Sequence, residues 1–246
     1  MNLILSPHFD DAALSLGGLL AREGSDTLVA TFFGGTPPAP LIRPWDVKCG
    51  FADSDAAMRA RTEENKKSLH MFGVADERIR NYAHLDAEYR FERGEPRIPE
   101  PELETSLRGD ITALLREFTS GPLKVFTPGL ELHTDHALVK SAALTASRTL
   151  PPNSDFEFFF YQDLPYALQI PYPSLEDEVT KGSFAVSVHP IPLTRAEMEK
   201  KVAGAALYAS QVHEHLLEKL EQFAAAQSHF LSLSAPYCEV AYAWHR

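Results

Sequence analysis

The chain begins with an apolar run, Leu3-Ile4-Leu5, that breaks at Ser6-Pro7 into a polar cluster, His8-Phe9-Asp10-Asp11. Three large apolar residues without polar alternation suit a short strand buried on both faces, as in a parallel sheet. Proline cannot donate to a ladder, so Ser6-Pro7 ends the strand. From Ala12 to Glu23, the residues Ala13, Leu14, Leu16, Leu19 and Leu20 recur at helical spacing. His8, Asp10 and Asp11 therefore sit at the carboxyl end of a strand, where open α/β sheets bind ligands. Alone, Asp10 or Asp11 reads as no more than a helix N-cap. A second cluster, His133-Thr134-Asp135-His136, shifts the balance. It lies between another apolar run, Leu123 to Thr127, and another helical pattern, Ala137 to Ser147. Two such handovers bring imidazoles and carboxylates to one sheet edge, the donor types of a catalytic zinc with an open position.

The remaining pattern predicts an α/β chain with a mostly parallel sheet. Thr27 to Phe33 reads as the second strand, ended by Gly34-Gly35. The proline-rich loop Thr36 to Pro44 is too long for an ordinary connector and predicts a functional flap or a disordered lid. Because it leaves the carboxyl end of the second strand, the stretch from Thr36 to Asp55 should border the site. Helices are expected over Asp55–Phe72, closed by Gly73, and over Leu103–Phe118. A long pattern over Thr194–Ala226 opens with a Thr194/Glu197 capping box and has a break near Ser210-Gln211. Further strands are expected at Arg78–Tyr82, Phe156–Tyr161, Phe184–His189 and Val240–Trp244, with irregular loops at Glu92–Pro101 and Tyr172–Gly182. With no internal repeat or linker, the 246 residues read as a single domain.

A net charge of −11 and a pI near 5.4 argue against a nucleic-acid partner. Cys49 and Cys238 have no C-x-x-C spacing and suggest neither a disulfide framework nor a sulfur-ligated metal. No basic-plus-apolar leader and no bilayer-length apolar run occur, so the expectation is a cytoplasmic protein with no membrane partner. The sequence leaves a homo-oligomer open. A nucleotide-binding reading is weak, because the first strand-helix turn has no G-x-G-x-x-G.

The stretch Ser6-Pro-His8-Phe-Asp10-Asp11-Ala-Ala-Leu-Ser-Leu-Gly17-Gly18 resembles the opening signature of the PIG-L/LmbE-like deacetylases, and His133-Thr-Asp135-His136 resembles their second. Arg61-x-x-Glu64 with Gly73, Leu85-Asp86 with Tyr89-Arg90, Tyr161 to Tyr166, and Tyr208 to Gln211 support the likeness, which runs from about Leu3 to Gln211. It implies a Rossmann-like three-layer α/β/α fold and zinc-dependent removal of an N-acetyl group, commonly from an N-acetylglucosamine moiety. His8, Asp11 and His136 take the metal-ligand positions, with zinc or another divalent first-row metal. Asp10 takes the general-base position. His133 takes that of the oxyanion stabiliser and proton donor, and Asp135 that of the group orienting His133. Arg61, Asp86, Arg90 and Asp163 are candidate substrate contacts, against an ion-pairing role for each. Two departures stand out: Phe9 where proline or leucine is commoner, and Ala12 where many members have glutamate.

These types suit the chemistry. A metal lowers the pKa of bound water from 15.7 to roughly 7 and polarises a carbonyl. Asp10 and Asp11 lie at a helix N-terminus, whose dipole favours the ionised carboxylate. His133 and His136 are three apart, so one helical turn brings both to one side. The leading expectation is a zinc-dependent N-deacetylase acting on a small N-acetylated amino sugar. A hydrolase of another acyl amide, or a non-catalytic small-molecule binder of the same fold, are the alternatives.

Overall fold

A computed structural model of the chain describes residues 1–92, 95–96, 100–118, 121–151, 155–171, 174–181 and 185–244. The strands are β1 (Asn2–Ser6), β2 (Thr27–Thr31), β3 (Ile79–Asn81), β4 (Phe91–Glu92), β5 (Glu95–Pro96), β6 (Leu123–Pro128), β7 (Phe156–Tyr161), β8 (Val186–Leu193) and β9 (Tyr237–Trp244). The helices are α1 (Asp11–Glu23), α2 (Pro44–Lys48), α3 (Ser54–Phe72), α4 (Ala87–Arg90), α5 (Glu100–Arg116), α6 (Thr134–Ser147), α7 (Leu175–Thr180), α8 (Arg195–Ala205) and α9 (Glu214–Phe230).

Seven strands form one sheet in the order β3-β2-β1-β6-β7-β9-β8, while β4 and β5 make a separate two-stranded pair. The first five strands are mutually parallel, and β9 runs antiparallel to both β7 and β8. All five residues of β1 are buried, as a strand at the centre of a doubly covered sheet requires. Ile4 packs into one core with α1, α3, α8 and α9, and Leu3 and Leu5 into a second with α5 and α6. This alternation makes the fold a three-layer α/β/α sandwich.

Two expectations shift. The last sheet strand is Val186–Leu193 rather than Phe184–His189, with Pro190 and Pro192 inside it. It pairs only with β9 at the end of the sheet order, so its other edge needs no amide donors and tolerates proline. Phe184 lies outside the described residues. The pattern over Thr194–Ala226 divides into α8 and α9, and the break spans Ser210-Gln211 as expected. The stretch Tyr172–Gly182 carries the short helix α7, whose Leu175 and Val179 are buried one turn apart. Tyr172 and Gly182 lie outside the described residues, as do residues 93–94 and 97–99 of the charged loop.

Helix α1 is kinked at Leu16 (φ −126°, ψ 25°). The amides of Gly18 and Leu19 there donate to the Glu239 carboxylate on β9, at 2.7 and 2.9 Å. Lys201 of α8 completes the arrangement, with its Nζ 2.6 Å from Glu239 and 3.5 Å from the Ser15 carbonyl. Polar groups at the kink thus find side-chain partners, as burial demands.

Candidate metal centre and cavity

β1 and β6 are adjacent and parallel, and the chain leaves them toward opposite sides of the sheet. Their carboxyl ends flank the topological switch point, where such sheets bind ligands. His8 to Asp11 follow β1, and His133 to His136 follow β6. In the first turn, Ser6 Oγ donates to the His8 carbonyl (2.7 Å) and accepts the Ala12 amide (3.2 Å), while the His8 amide donates to Asp11 Oδ2 (2.7 Å). In the second, His133 caps α6, its Nδ1 accepting the Asp135 amide at 3.2 Å.

Asp11 Oδ2 lies 3.3 Å from His8 Nδ1 and 3.3 Å from His136 Nε2. The far nitrogen of each ring is already engaged. His8 Nε2 is 3.0 Å from Asp135 Oδ2, and His136 Nδ1 is 2.6 Å from Asp163 Oδ1. Asp163 Oδ2 accepts the Gly129 and Leu130 amides at 2.8 and 2.6 Å, which keeps Asp163 an acceptor. Gly129 suits this approach, since a Cβ there would lie 2.7 Å from the Tyr161 carbonyl oxygen. A neutral imidazole at either position would donate to its rear carboxylate and turn a lone pair toward Asp11. His136 Nε2 is buried and, Asp11 apart, has no hydrogen-bond partner among the described residues. Two lone pairs facing one carboxylate oxygen call for a cation among them, and 3.3 Å is about the edge of a tetrahedron with ~2.0–2.1 Å bonds. The residues present fit a divalent metal. The rear carboxylates are the partners that fix the ring orientation of metal-binding histidines.

Ring nitrogens of His8, His133 and His136 also lie within 4.8 Å of one another, as do donor atoms of His8, Asp86 and Asp135. The Asp11-centred set is the better one on chemical grounds. His133 Nδ1 is spent on the Asp135 amide, so a neutral ring carries its proton on Nε2 and is a donor. Asp135 is already met by His8, the Ala87 amide at 3.0 Å and the Arg90 guanidinium at 2.6 Å.

The electrostatics follow. Burial opposes charge on His136, but Asp11 and Asp163 outweigh it and raise the ring to about 9. Burial likewise lowers His8, and Asp86, Asp11 and Asp135 reverse this. Burial raises Asp11, yet His136 and His8 hold it well below the usual carboxylate range. A pocket that holds protons this way in the absence of metal is one that attracts cations. Burial and the neighbouring Asp11 push Asp10 up to about 6. Burial and His8 push His133 down.

A cavity of about 780 Å³ opens over this cluster, lined by His8, Asp10, Asp11 and His133. Its outer wall includes Arg43, Pro44 and Trp45, so the stretch from Thr36 to Asp55 does border the site. Of the four candidate substrate contacts, Arg61 and Asp86 line the cavity. Arg90 and Asp163 do not: at 1% and 0% exposure they are walled off behind His8 and His136, bound to Asp135 and to His136. Arg61 and Glu64, three apart on α3, have separate partners. Arg61 meets Asp46 at 3.0 Å, and Glu64 accepts from Ser210 Oγ at 2.6 Å. The expected orientation of His133 by the Asp135 carboxylate is also replaced. That carboxylate holds His8, and only the Asp135 amide meets His133.

Sequence reasoning passed over Asp46 and Trp45 and gave Tyr166 no role beyond its place in the Tyr161–Tyr166 segment. Asp46 is fully buried in α2, and no motif or periodicity marks it. Tyr166 lines the cavity with its ring centroid 5.1 Å from that of His136 and 5.9 Å from that of His133. Its adjacency to Leu164-Pro165 after a strand was the available signal.

Comparison with known proteins places the fold and the family. A 2'-N-acetylparomamine deacetylase of Streptomyces fradiae is 27% identical over 223 residues, covering 88% of this chain and 75% of the relative. A zinc-inhibited form of teicoplanin deacetylase superposes with a TM-score of 0.77 at 24% identity, covering 100% of this chain and 98% of the other. An N,N'-diacetylchitobiose deacetylase from Pyrococcus horikoshii does so at 0.57 and 18%, covering 98% and 82%. The family model of PIG-L, GlcNAc-PI de-N-acetylase, matches residues 3–147, which span both histidine clusters. The chain belongs to the PIG-L family.

Proposed function

We propose that the protein is a zinc-dependent N-deacetylase that hydrolyses the acetamide of a small N-acetylated amino sugar. The observation that carries this reading is the pair of imidazole nitrogens, each 3.3 Å from Asp11 Oδ2, at the edge of a sizeable cavity. The deacetylase relatives, whose substrates are N-acetylated, support the bond that is cleaved. Two nitrogens and one carboxylate oxygen suit zinc, with room for a water. His8, Asp11 and His136 hold the ion, which supplies an acidified water and a polarised carbonyl. Asp10, raised to about 6 by burial and by Asp11, is a base matched to neutral pH. It takes a proton from the attacking water and returns it to the leaving nitrogen as the carbon–nitrogen bond breaks, giving acetate and a free amine. His133, neutral and with its proton on Nε2, donates a hydrogen bond to the oxygen on which charge develops. No helix among the described residues is long and apolar enough to cross a membrane, in keeping with a cytoplasmic enzyme of small molecules.

Purified protein should carry about one zinc per chain. Asp163→Asn should weaken zinc affinity by ~10–100-fold, the usual effect of removing a carboxylate behind a ligating histidine. Competition against a chromogenic chelator reads this directly. An unchanged affinity would remove His136 from the ligand set.

A further inference from the structure

The stretch from Leu41 to Ser54 is a closed loop over the cavity mouth. Its ends are pinned by two hydrogen bonds, the Leu41 amide to Ser54 Oγ at 3.0 Å and the Ser54 amide to the Leu41 carbonyl at 2.8 Å. Its one fully buried acid, Asp46, turns inward. Arg61 Nη2 donates to Asp46 Oδ1 at 3.0 Å, and the Tyr89 hydroxyl donates at 3.0 Å to Oδ2 and 3.2 Å to Oδ1. Arg61 is itself only 6% exposed, lines the cavity, and keeps an Nε–H with no acceptor among the described residues.

A cavity-lining arginine is ordinarily the residue that recognises a phosphate or carboxylate. Here its charge is already matched within the protein, at a separation where one opposite charge cancels most of its field. Besides Asp10, Asp11 and the matched Arg61, the wall carries two carboxylates, Asp86 at 3.7 Å from His8 Nε2 and Glu88, and one further guanidinium, Arg43, which donates to the Phe91 carbonyl at 3.3 Å. We infer that Asp46 sets the charge selectivity of the cavity: by neutralising Arg61 it excludes substrates with an anionic group beside the N-acetylated sugar and admits neutral or amine-bearing ones. This rests on the deacetylase reading and adds the substrate class. Asp46 acts through Arg61 as a positioning residue. It leaves Arg61 a hydrogen-bond donor to hydroxyl and ether oxygens.

The test uses three N-acetylglucosaminides with aglycones of equal length, ending in methyl, in a protonated amine and in a carboxylate. Acetate release by the zinc-loaded protein should rank amine and methyl above carboxylate by at least ~10-fold in kcat/KM, with the difference in KM. Asp46→Asn keeps the shape and an acceptor while removing the charge. It should raise the carboxylate-to-methyl ratio by ~10-fold, again through KM. Equal handling of the carboxylate by the wild type overturns the inference, and so does an Asp46→Asn variant that changes all three substrates alike. The wild-type ranking decides even if the variant does not fold. If none of the three releases acetate, the deacetylase reading fails. Calorimetric affinities of the same glycosides for wild type then judge the selectivity alone: weaker binding of the carboxylate upholds it, and equal binding overturns it.

Discussion

Asp10→Asn should lower kcat by ~10²–10³ while zinc per chain stays at the wild-type level. The substitution keeps the side-chain shape and removes a cavity-lining carboxylate that burial and Asp11 push up to about 6. His133→Ala should have a loss of the same order, because it deletes an Nε2–H donor whose tautomer is set by the Asp135 amide. Asp11→Ala and His136→Ala should behave differently and lose the metal, with activity falling in proportion. Metal analysis alongside turnover on one N-acetylated sugar separates the two groups. Should Asp10→Asn lose zinc while turnover per bound zinc is unchanged, Asp10 is a ligand and the assignment of roles is wrong.

Lys201→Met should destabilise the fold by about 3–5 kcal/mol, the usual cost of stranding one member of a buried ion pair. Lys201 and Glu239 are 1% and 3% exposed and 2.6 Å apart. Glu239→Leu should cost at least as much, since it strands the lysine and also leaves the Gly18 and Leu19 amides without acceptors at the kink of α1. Urea unfolding followed by tryptophan fluorescence gives both values. A loss under about 1 kcal/mol in Lys201→Met would mean that water or a rearranged partner satisfies the carboxylate. The kink matters to the site because Ser15, within it, accepts the Leu164 amide at 3.0 Å, next to the Asp163 that orients His136.

The parts legible in sequence are those written in contiguous residues. Leu3 to Asp11 and Leu123 to His136 each encode a strand, its end and the donors beyond it, so local sequence alone places both halves of the cluster. That β1 and β6 are neighbours comes from the sheet order, which short-range patterns do not carry. The partner of each buried carboxylate was illegible for the same reason. Asp135 is two residues from His133 and one from His136, yet its carboxylate reaches across to His8, 127 residues away. In sequence Asp163 and Arg90 are equally plausible as substrate contacts; their burial puts them behind His8 and His136. Asp46 and Glu239 carry no signal at all, because each acts on groups brought near only by folding. The strand expected at Phe184–His189 runs on through Pro190 and Pro192 to Leu193, which an edge strand tolerates and an interior one does not.

The central claim is that the cluster around Asp11 hydrolyses an acetamide with the help of a bound metal. Its most direct test is to quantify acetate and free amine together, from an N-acetylglucosaminide, with protein loaded with zinc, stripped by chelation and reloaded. The account predicts equal amounts of both products, their loss on stripping and their return on reloading. Protein that carries one zinc per chain at this cluster and releases no acetate from any N-acetylated amino sugar, or that releases it equally well after stripping, would contradict it.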